Sequence, residues 1–315
     1  MKRLLLISLL LLSTLSLDAQ KVRFMPQWTP QAQFAGYYMA QEKGYFEEEG
    51  LDVEIIHINP TTRKNTIAYL RAGDVDITMM QPCQAMAARD GGLELVNVLQ
   101  TSQNCGLVCV SKSPLPDLKS LDGMRLGVWK SGYGEVARLA ASDYSLNVQW
   151  VPFISPTTLY VKNAVDGVLA YTYHELIQLF LATGEMNEEN VLHFSDFGYN
   201  YPEDGLYVME KYLNRNSETV KKFCRAAMKG WNYVAQHQDE ALKLVRRIIN
   251  ENNIQASEVL QKMMLEEVLR LQIDSRTGDR SFAPISRELY EEISAKALEC
   301  GIIINEVPYD KLIRP

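Results

Sequence analysis

The most informative stretch of the 315-residue chain is Phe24–Val53, with the sequence FMPQWTPQAQFAGYYMAQEKGYFEEEGLDV. A short strand ends at Met25, and the turn after it carries a tryptophan and three side-chain amides: Gln27, Trp28, Gln31 and Gln33. Thr29 and Pro30 predict the start of a helix, because Thr caps helices well and Pro fits the first helical position. Gly44 ends this helix, and a second short helix and a strand follow.

The alternation of short strands and helices continues beyond this unit and predicts an α/β fold. It runs to Ser111, breaks at Pro114-Leu115-Pro116, and restarts with a strand over Arg125–Trp129. From Asn216 onward the pattern is helical. We therefore predict two doubly wound α/β lobes, with residues 20–109 and 207–315 in lobe I and residues 110–206 in lobe II.

Two strand-like segments, near Gly106–Ser111 and near Gly205–Met209, would carry the chain from one lobe to the other. A pair of crossings of this kind forms a hinge, so we predict two lobes joined by a two-strand hinge. A ligand of such a protein lies in the cleft, at the carboxyl ends of strands and the amino ends of helices.

The first 19 residues have the layout of a secretory signal peptide. Lys2 and Arg3 precede an apolar run, Leu4–Leu12, and small and polar residues follow as far as Ala19. The apolar run is shorter than the ~20 residues that span a bilayer, although an uncleaved membrane anchor stays an alternative. We predict cleavage near Ala19 and an exported, periplasmic protein.

The composition argues against several classes of partner and site. The formal net charge is −7, and removal of residues 1–19 takes away a net charge of +1 and leaves −8. Nucleic acids and anionic lipids need a basic face, so neither is expected as a partner. The five cysteines favour structural thiols, and with four scattered histidines no metal site is predicted; these cysteines are Cys83, Cys105, Cys109, Cys224 and Cys300.

Motifs of a nucleophile, metal or phosphate centre do not occur in the sequence, which has no GxSxG, HExxH or CxxC. Binding without reaction needs fewer assumptions than catalysis, so we predict a monomeric binding protein without a cofactor. An enzyme that lacks a recognisable motif stays an alternative.

Candidate ligand-binding residues lie mainly where a predicted strand gives way to a helix, because such points collect free backbone N–H groups. Trp28 either lines the cleft or covers the core. Glu175, in a first helical turn, either complements the helix dipole or accepts two hydrogen bonds from a donor-rich ligand such as an aminopyrimidine edge. Gln27, Gln31 and His174 are interpreted as solvated neighbours. The candidates are Trp28, Gln33, Tyr37, Gln81, Trp129, Ser131, Tyr171, Tyr173, Glu175 and Asp204.

A set of motifs spread over nearly the whole chain after residue 19 allows a comparison with known families. The opening motifs are Trp28-Thr29-Pro30-Gln31-Ala32-Gln33-Phe34-Ala35-Gly36, Gly44-Tyr45-Phe46 and Gly50-Leu51-Asp52-Val53. The later motifs are Leu70-Arg71-Ala72-Gly73-Asp74-Val75-Asp76, Gly127-Val128-Trp129, Thr172-Tyr173-His174-Glu175, Glu203-Asp204-Gly205-Leu206-Tyr207-Val208 and Gly230-Trp231-Asn232-Tyr233. Together they resemble the thiamine-pyrimidine-precursor family, NMT1/THI5-like, which includes exported substrate-binding proteins of ABC transporters and fungal pyrimidine synthases.

The resemblance implies a type II periplasmic-binding-protein fold that closes on its ligand by hinge bending. It also implies that Trp28, Trp129 and Tyr173 stack on a pyrimidine and that Glu175 takes its amino group. The expected ligand is an aminopyrimidine precursor of thiamine, hydroxymethylpyrimidine or its formylamino analogue, and the expected partner is an ABC permease.

Other functions are compatible with the same resemblance. A pyrimidine synthase-like enzyme is one, but the Cys-rich CCCFC motif of that branch is absent and Phe34 stands in place of its histidine. Binders of riboflavin, sulfonate or taurine share the fold. A binding protein that docks on a membrane sensor differs from a transport protein only in its partner.

Overall fold

The computed structural model describes residues 19–58, 64–130, 133–184 and 187–315, and within them the strands form two five-stranded sheets flanked by helices. The strands are β1 Gln20–Met25, β2 Leu51–Ile55, β3 Ile77–Met80, β4 Leu95–Gln100, β5 Leu107–Ser111, β6 Arg125–Trp129, β7 Gln149–Phe153, β8 Gly167–Tyr171, β9 Val191–His193 and β10 Gly205–Met209. The helices are α1 Ala35–Glu42, α2 Tyr45–Glu48, α3 Thr66–Ala72, α4 Pro82–Asp90, α5 Glu135–Asp143, α6 Pro156–Val161, α7 Glu175–Thr183, α8 Glu210–Arg215, α9 Ser217–Gln236, α10 Gln238–Glu251, α11 Glu258–Leu271, α12 Arg287–Glu299 and α13 Tyr309–Leu312. The predicted α/β class is confirmed.

The first sheet has the strand order β2-β1-β3-β10-β4. Strands β1, β2 and β3 are parallel, whereas β10 runs antiparallel to both β3 and β4. Because β10 is reversed, its first residue, Gly205, pairs with Met80 at the carboxyl end of β3. The start of β10 therefore lies at the same edge of the sheet as the ends of β1 and β3.

The second sheet has the strand order β7-β6-β8-β5-β9, with β6, β7 and β8 parallel and β5 reversed. The whole of β5, from Leu107 to Ser111, pairs in this sheet. The predicted lobe boundaries at 109 and 206 therefore fall inside β5 and β10. Both β5 and β10 belong to one sheet over their full length, because each forms hydrogen-bond ladders with a neighbouring strand on either side.

The chain passes between the sheets through residues 101–106 and 198–204, which lie side by side as loops. The backbone N–H groups of Thr101 and Ser102 both donate to the carbonyl oxygen of Asp204, at 2.9 and 3.1 Å. The Cys105 N–H donates to Asn200 Oδ1 at 2.8 Å. The crossings thus lie beside the strands that were predicted to make them, and the two-lobed fold is as expected.

The core of the first lobe depends on a close approach of α1 and α9. A Cβ atom on Gly230 would lie 2.1 Å from the carbonyl oxygen of Gly36, and one on Gly36 would lie 2.1 Å from the Trp231 ring. Only glycine at both positions allows this approach. The ring of Tyr37 is buried in the same core, with its centroid 4.7 Å from that of Phe24.

The turn between β1 and α1 differs from its prediction. Residues 26–31 are irregular, and the helical path begins only with a 3₁₀ turn over Ala32–Phe34. Gln31 has an extended backbone, with φ −163° and ψ 171°, so Thr29 and Pro30 do not open the helix. The 3₁₀ turn is held from the C-terminal half of the chain, because the Ala32 N–H donates to Gln261 Oε1 of α11 at 2.6 Å.

Two further sequence predictions concern thiols and membranes. All five cysteines are free thiols, and four of them are buried; only Cys300 is partly exposed. Within the described ranges, no helix is long and apolar enough to cross a membrane. The predicted signal peptide falls almost entirely outside the described residues and stays a prediction.

Candidate functional site

The carboxyl ends of β1, β6 and β8 meet between the two lobes, as the doubly wound architecture requires. Ten described side chains line a small cavity there: Gln27, Trp28, Gln31 and Gln33 from the first lobe, and Trp129, Tyr133, Tyr171, Tyr173, His174 and Glu175 from the second. The cavity volume is about 30 Å³, which is the share of liquid volume of one water molecule. The two walls are therefore in contact, with little space left between them.

Aromatic rings from both lobes make this contact. The ring centroids of Trp28 and Trp129 are 5.5 Å apart with an interplanar angle of 71°, an edge-to-face arrangement. Tyr133 also meets Trp28 edge-to-face, at 6.4 Å. Tyr171 and Tyr173 stack at 5.3 Å with an angle of 28°. Since such rings offer flat faces to a planar ligand, the arrangement suits an aromatic ring that enters when the lobes separate.

Glu175 is the acidic group of the cavity wall, and only 4% of its surface is exposed. It is the first residue of α7. Its Oε1 accepts a hydrogen bond from Trp129 Nε1 at 3.1 Å, and its Oε2 accepts one from the Tyr171 N–H at 2.9 Å. A carboxylate has about four acceptor positions, so two remain for a ligand. Both Trp129 and Glu175 belong to the second lobe, which therefore presents an aromatic face and a carboxylate together.

On the first lobe the polar wall is a chain of amides that ends on Asp204. Gln31 Nε2 donates to Gln33 Oε1 at 2.6 Å, and Gln33 Nε2 donates to Asp204 Oδ2 at 2.8 Å. Gln27 Nε2 donates to Asp204 Oδ1 at 2.6 Å. Burial raises the pKa of Asp204, and the two glutamine donors act against that shift. Asp204 thus fixes both glutamines from behind the cavity wall.

Tyr171 is held in a similar way from the end of β3. Gln81 Nε2 donates to Tyr171 Oη at 2.8 Å, across the gap between the two sheets. The Tyr171 hydroxyl also lies 3.2 Å from the Tyr133 carbonyl oxygen, to which it can donate. Gln81 therefore supports a residue of the wall without lining the cavity.

The sequence pattern of the family described as NMT1/THI5 like matches residues 31–241, about two thirds of the chain. The chain belongs to this family. The resemblance inferred from the sequence motifs is thereby confirmed. The match begins inside the amide chain of the first lobe and includes every second-lobe residue of the cavity wall.

This NMT1/THI5-like protein is similar to binding proteins along most of its length. It is 29% identical to the riboflavin-binding protein RibY of Chloroflexus aurantiacus over 259 aligned residues. This alignment covers 79% of this chain and 72% of RibY. It is 25% identical over 286 residues to a formylaminopyrimidine-binding protein of Halalkalibacterium halodurans, over 87% of this chain and 83% of that protein. The crystal structure of the periplasmic aliphatic sulphonate-binding protein SsuA of Escherichia coli matches with a TM-score of 0.68 at 12% identity, covering 94% of this chain and 92% of SsuA. This last likeness confirms the periplasmic-binding-protein fold.

The structure gathers most of the predicted site residues of this NMT1/THI5-like protein. Six of them line the cavity: Trp28, Gln33, Trp129, Tyr171, Tyr173 and Glu175. Gln81 and Asp204 contact the wall from behind. The prediction for Tyr37 needs correction, because its ring faces the core between Phe24 and Trp231 and is absent from the wall. Ser131 lies outside the described residues.

Four wall residues were not predicted as site residues: Gln27, Gln31, Tyr133 and His174. The irregular turn over residues 26–31 brings Gln27 and Gln31 to the cavity wall. Tyr133 has φ 66°, a left-handed conformation that is uncommon for a tyrosine and that marks functional loops. In the sequence, its position between two glycines after the end of β6 was the available signal.

Proposed function

We propose that this NMT1/THI5-like protein is an exported, monomeric solute-binding protein that captures an aminopyrimidine precursor of thiamine between its lobes and delivers it to an ABC permease. The observation that carries the proposal is Glu175, a buried carboxylate beside Trp129 in an aromatic cavity at the lobe interface. The name of the formylaminopyrimidine-binding relative supports the ligand class.

The geometry suits a planar ligand that donates hydrogen bonds. Trp28 and Trp129 approach from opposite lobes, and a ring inserted between them would gain contact with both. An amino group on that ring would donate to a free acceptor position of Glu175, and a hydrogen bond to a carboxylate is among the strong ones. Binding would then require no reacting group.

The charge of the wall favours a neutral or cationic ligand over an anion. Among the described residues that line the cavity there is no lysine or arginine, and Glu175 is the acidic group. A sulfonate placed here would lie beside the Glu175 carboxylate, and His174, the wall residue able to carry a positive charge, is already placed 3.6 Å from Glu175 Oε1. Burial of two like charges side by side is costly. The likeness to a sulphonate-binding protein therefore supports the fold and not that ligand.

Capture requires the lobes to move apart and close again. A cavity of about 30 Å³ does not admit a pyrimidine, so the ligand would enter an open form in which Trp28 and Trp129 are separated. The loops 101–106 and 198–204 are the segments that can bend. Ligand binding would then shift the population toward the closed form.

Riboflavin is the second candidate ligand, because RibY is 29% identical to this chain. The flavin ring is also flat and also carries an N–H group, so stacking and a hydrogen bond to Glu175 are available to it as well. The two candidates differ in size, and the lobes would have to separate further around a flavin than around a pyrimidine to fill a cavity that is now about 30 Å³. This difference favours the pyrimidine.

Isothermal titration of the chain from Gln20 onward against hydroxymethylpyrimidine, formylaminopyrimidine, thiamine, riboflavin and taurine tests the proposal. We expect saturable binding of a pyrimidine, and at least about tenfold weaker binding by Glu175→Gln, because loss of a hydrogen bond to a charged group costs ~1.5–3 kcal/mol. Glu299→Gln, on an exposed position of α12, is the matched control. Absence of pyrimidine binding by the unsubstituted protein would overturn the ligand assignment.

A further inference from the structure

The first-lobe wall contains a buried acceptor that has no partner. Gln27 is only 4% exposed, yet its Oε1 has no hydrogen-bond partner among the described residues. A buried polar atom without a partner costs ~1–3 kcal/mol, so native structures rarely retain one without a reason. Gln27 lines the cavity, where a ligand would meet this atom.

The orientation of the Gln27 amide follows from its neighbour. Its nitrogen is 2.6 Å from Asp204 Oδ1, and a carboxylate oxygen can only accept, so the NH₂ group must face Asp204. Asp204 is not part of the cavity wall. The carbonyl oxygen on the other side of the amide is therefore the atom left for the cavity.

Gln33 is fixed in the same sense by a second contact. Its NH₂ group donates to Asp204 Oδ2, and its Oε1 accepts from Gln31 at 2.6 Å. Both polar atoms of the Gln33 amide are therefore used within the protein. Of the two glutamines that share Asp204, only Gln27 keeps an unused atom.

Asp204 is itself held firmly. Its carbonyl oxygen accepts from the Thr101 N–H and from Gln100 Nε2, each at 2.9 Å. It is 8% exposed, and its two carboxylate oxygens each hold one glutamine. A carboxylate fixed on both its backbone and its side chain is a rigid support for the amide in front of it.

We propose that Gln27 is a specificity-determining residue whose Oε1 accepts a hydrogen bond from an N–H or O–H group on the ligand edge that faces the first lobe, and that Asp204 is its positioning residue. This inference rests on the proposed function and deepens it. The ligand would carry two donors, one for Glu175 of the second lobe and one for Gln27 of the first. Hydroxymethylpyrimidine and its formylamino analogue have such a second donor on the substituent that each carries besides the amino group.

Titration with three ligands that share the amino edge isolates this contact. They are hydroxymethylpyrimidine, the analogue with methyl in place of hydroxymethyl, and the analogue with formyl in that place. The unsubstituted protein should bind the hydroxymethyl compound about tenfold or more tightly than the methyl compound, because the unpaired acceptor is satisfied only by the former. In Gln27→Met, which keeps the length but removes the acceptor, the ratio should fall to within about twofold. Gln41→Met, on an exposed glutamine outside the wall, should keep the ratio of the unsubstituted protein.

Asp204→Asn tests the positioning role of Asp204, because it should change the preferred ligand group from a donor to an acceptor. An asparagine offers one acceptor and one donor to two glutamine NH₂ groups, so one of the two glutamines must turn over. Gln33 is locked by Gln31, and Gln27 is therefore the one that turns and presents its NH₂ group to the ligand. The ratio of formyl to hydroxymethyl affinity should then rise roughly tenfold over that of the unsubstituted protein. A purely structural role of Asp204 would weaken all three ligands alike.

The outcomes separate the two proposals. If the unsubstituted protein discriminates between the ligands and Gln27→Met keeps that discrimination, the role of Gln27 is wrong and the proposed function stands. If riboflavin binds and the pyrimidines do not, the pyrimidine assignment is wrong. In that case the role of Gln27 is tested with riboflavin. A roughly tenfold lower affinity of Gln27→Met for riboflavin supports the role, and an unchanged affinity overturns it. If none of these compounds binds, both proposals are overturned.

Discussion

Replacement of Gly230 by alanine tests how far the first lobe depends on the approach of α1 to α9. In an ordinary helix interior, alanine in place of glycine stabilises by about 1 kcal/mol. Here the new Cβ would lie 2.1 Å from the Gly36 carbonyl oxygen and 2.8 Å from Ala40 Cβ, whereas comfortable contacts between carbon atoms are ~3.5–4.0 Å. The helices would have to separate by about 1 Å or more at this point.

The cost of that separation exceeds the gain in helix propensity. Overpacking of a close-packed core costs about 1–3 kcal/mol, and we expect the upper end because two of the three closest contacts are with backbone atoms that cannot rotate away. With the helix propensity offset, the net loss is ~2 kcal/mol, which corresponds to a fall in Tm of roughly 4–8 °C.

The measurement is thermal and urea unfolding followed by far-UV circular dichroism. Gly91→Ala is the matched control, because Gly91 has an ordinary φ of −72° and its nearest contact would be 3.4 Å. We expect that control to lie within about 0.5 kcal/mol of the unsubstituted protein. If Gly230→Ala is as stable as the unsubstituted protein or more stable, the close approach is not a constraint on the core.

Three further outcomes are expected. Burial and the neighbouring charge of Asp204 raise the pKa of Glu203 well above 4.5. Above pH 4.5 the folded protein therefore keeps a proton on Glu203 that the unfolded chain releases. The free energy of unfolding falls as the pH rises from 4.5 toward the pKa of the folded state. Glu203→Gln should therefore gain stability relative to the unsubstituted protein between pH 5 and pH 8 in urea titrations, and parallel pH profiles would contradict this. Ligand binding should change tryptophan fluorescence, and Trp28→Phe should reduce that change, with Trp129 retaining part of it, while Trp150→Phe keeps it in full; the reverse pattern would place the ligand elsewhere. Amino-terminal sequencing of the exported protein should give Gln20 as the first residue. A chain that still begins at Met1 would contradict the predicted cleavage.

The order of elements was accessible from the sequence because local patterns encode it. Glycines such as Gly44 end helices, and β-branched residues such as Val53 and Ile55 in β2 mark strands, so the predicted and observed elements largely coincide. The predicted division between the lobes falls inside two strands, β5 and β10. The apolar composition of Leu107–Ser111 is compatible with a place in either sheet. Only its pairing with Gly167–Tyr171 assigns it to the second sheet.

The residues that line the cavity were predicted best where a residue stands at the end of a strand. Trp129 and Tyr171 end β6 and β8, and topology brings such ends together whatever the side chains are. Tyr37 was misplaced because helical spacing shows that a residue shares a face but does not show whether the face meets a cleft or a core. Gln27 and Gln31 were missed because the polar character of glutamine suits solvent equally well, and only the irregular turn directs them inward.

Glu203 and Asp204 connect the site to the segments between the lobes. Consecutive residues of an extended segment point to opposite sides. Accordingly, Glu203 accepts from the Gly106 N–H of the other crossing, while Asp204 holds Gln27 and Gln33. If the lobes rotate about these loops, the movement would reach the amide wall through the peptide unit that joins Glu203 and Asp204. If Asp204 positions Gln27 as proposed, the acceptor for the ligand is in place only in those lobe orientations that keep this segment extended, and recognition and closure then depend on the same two residues.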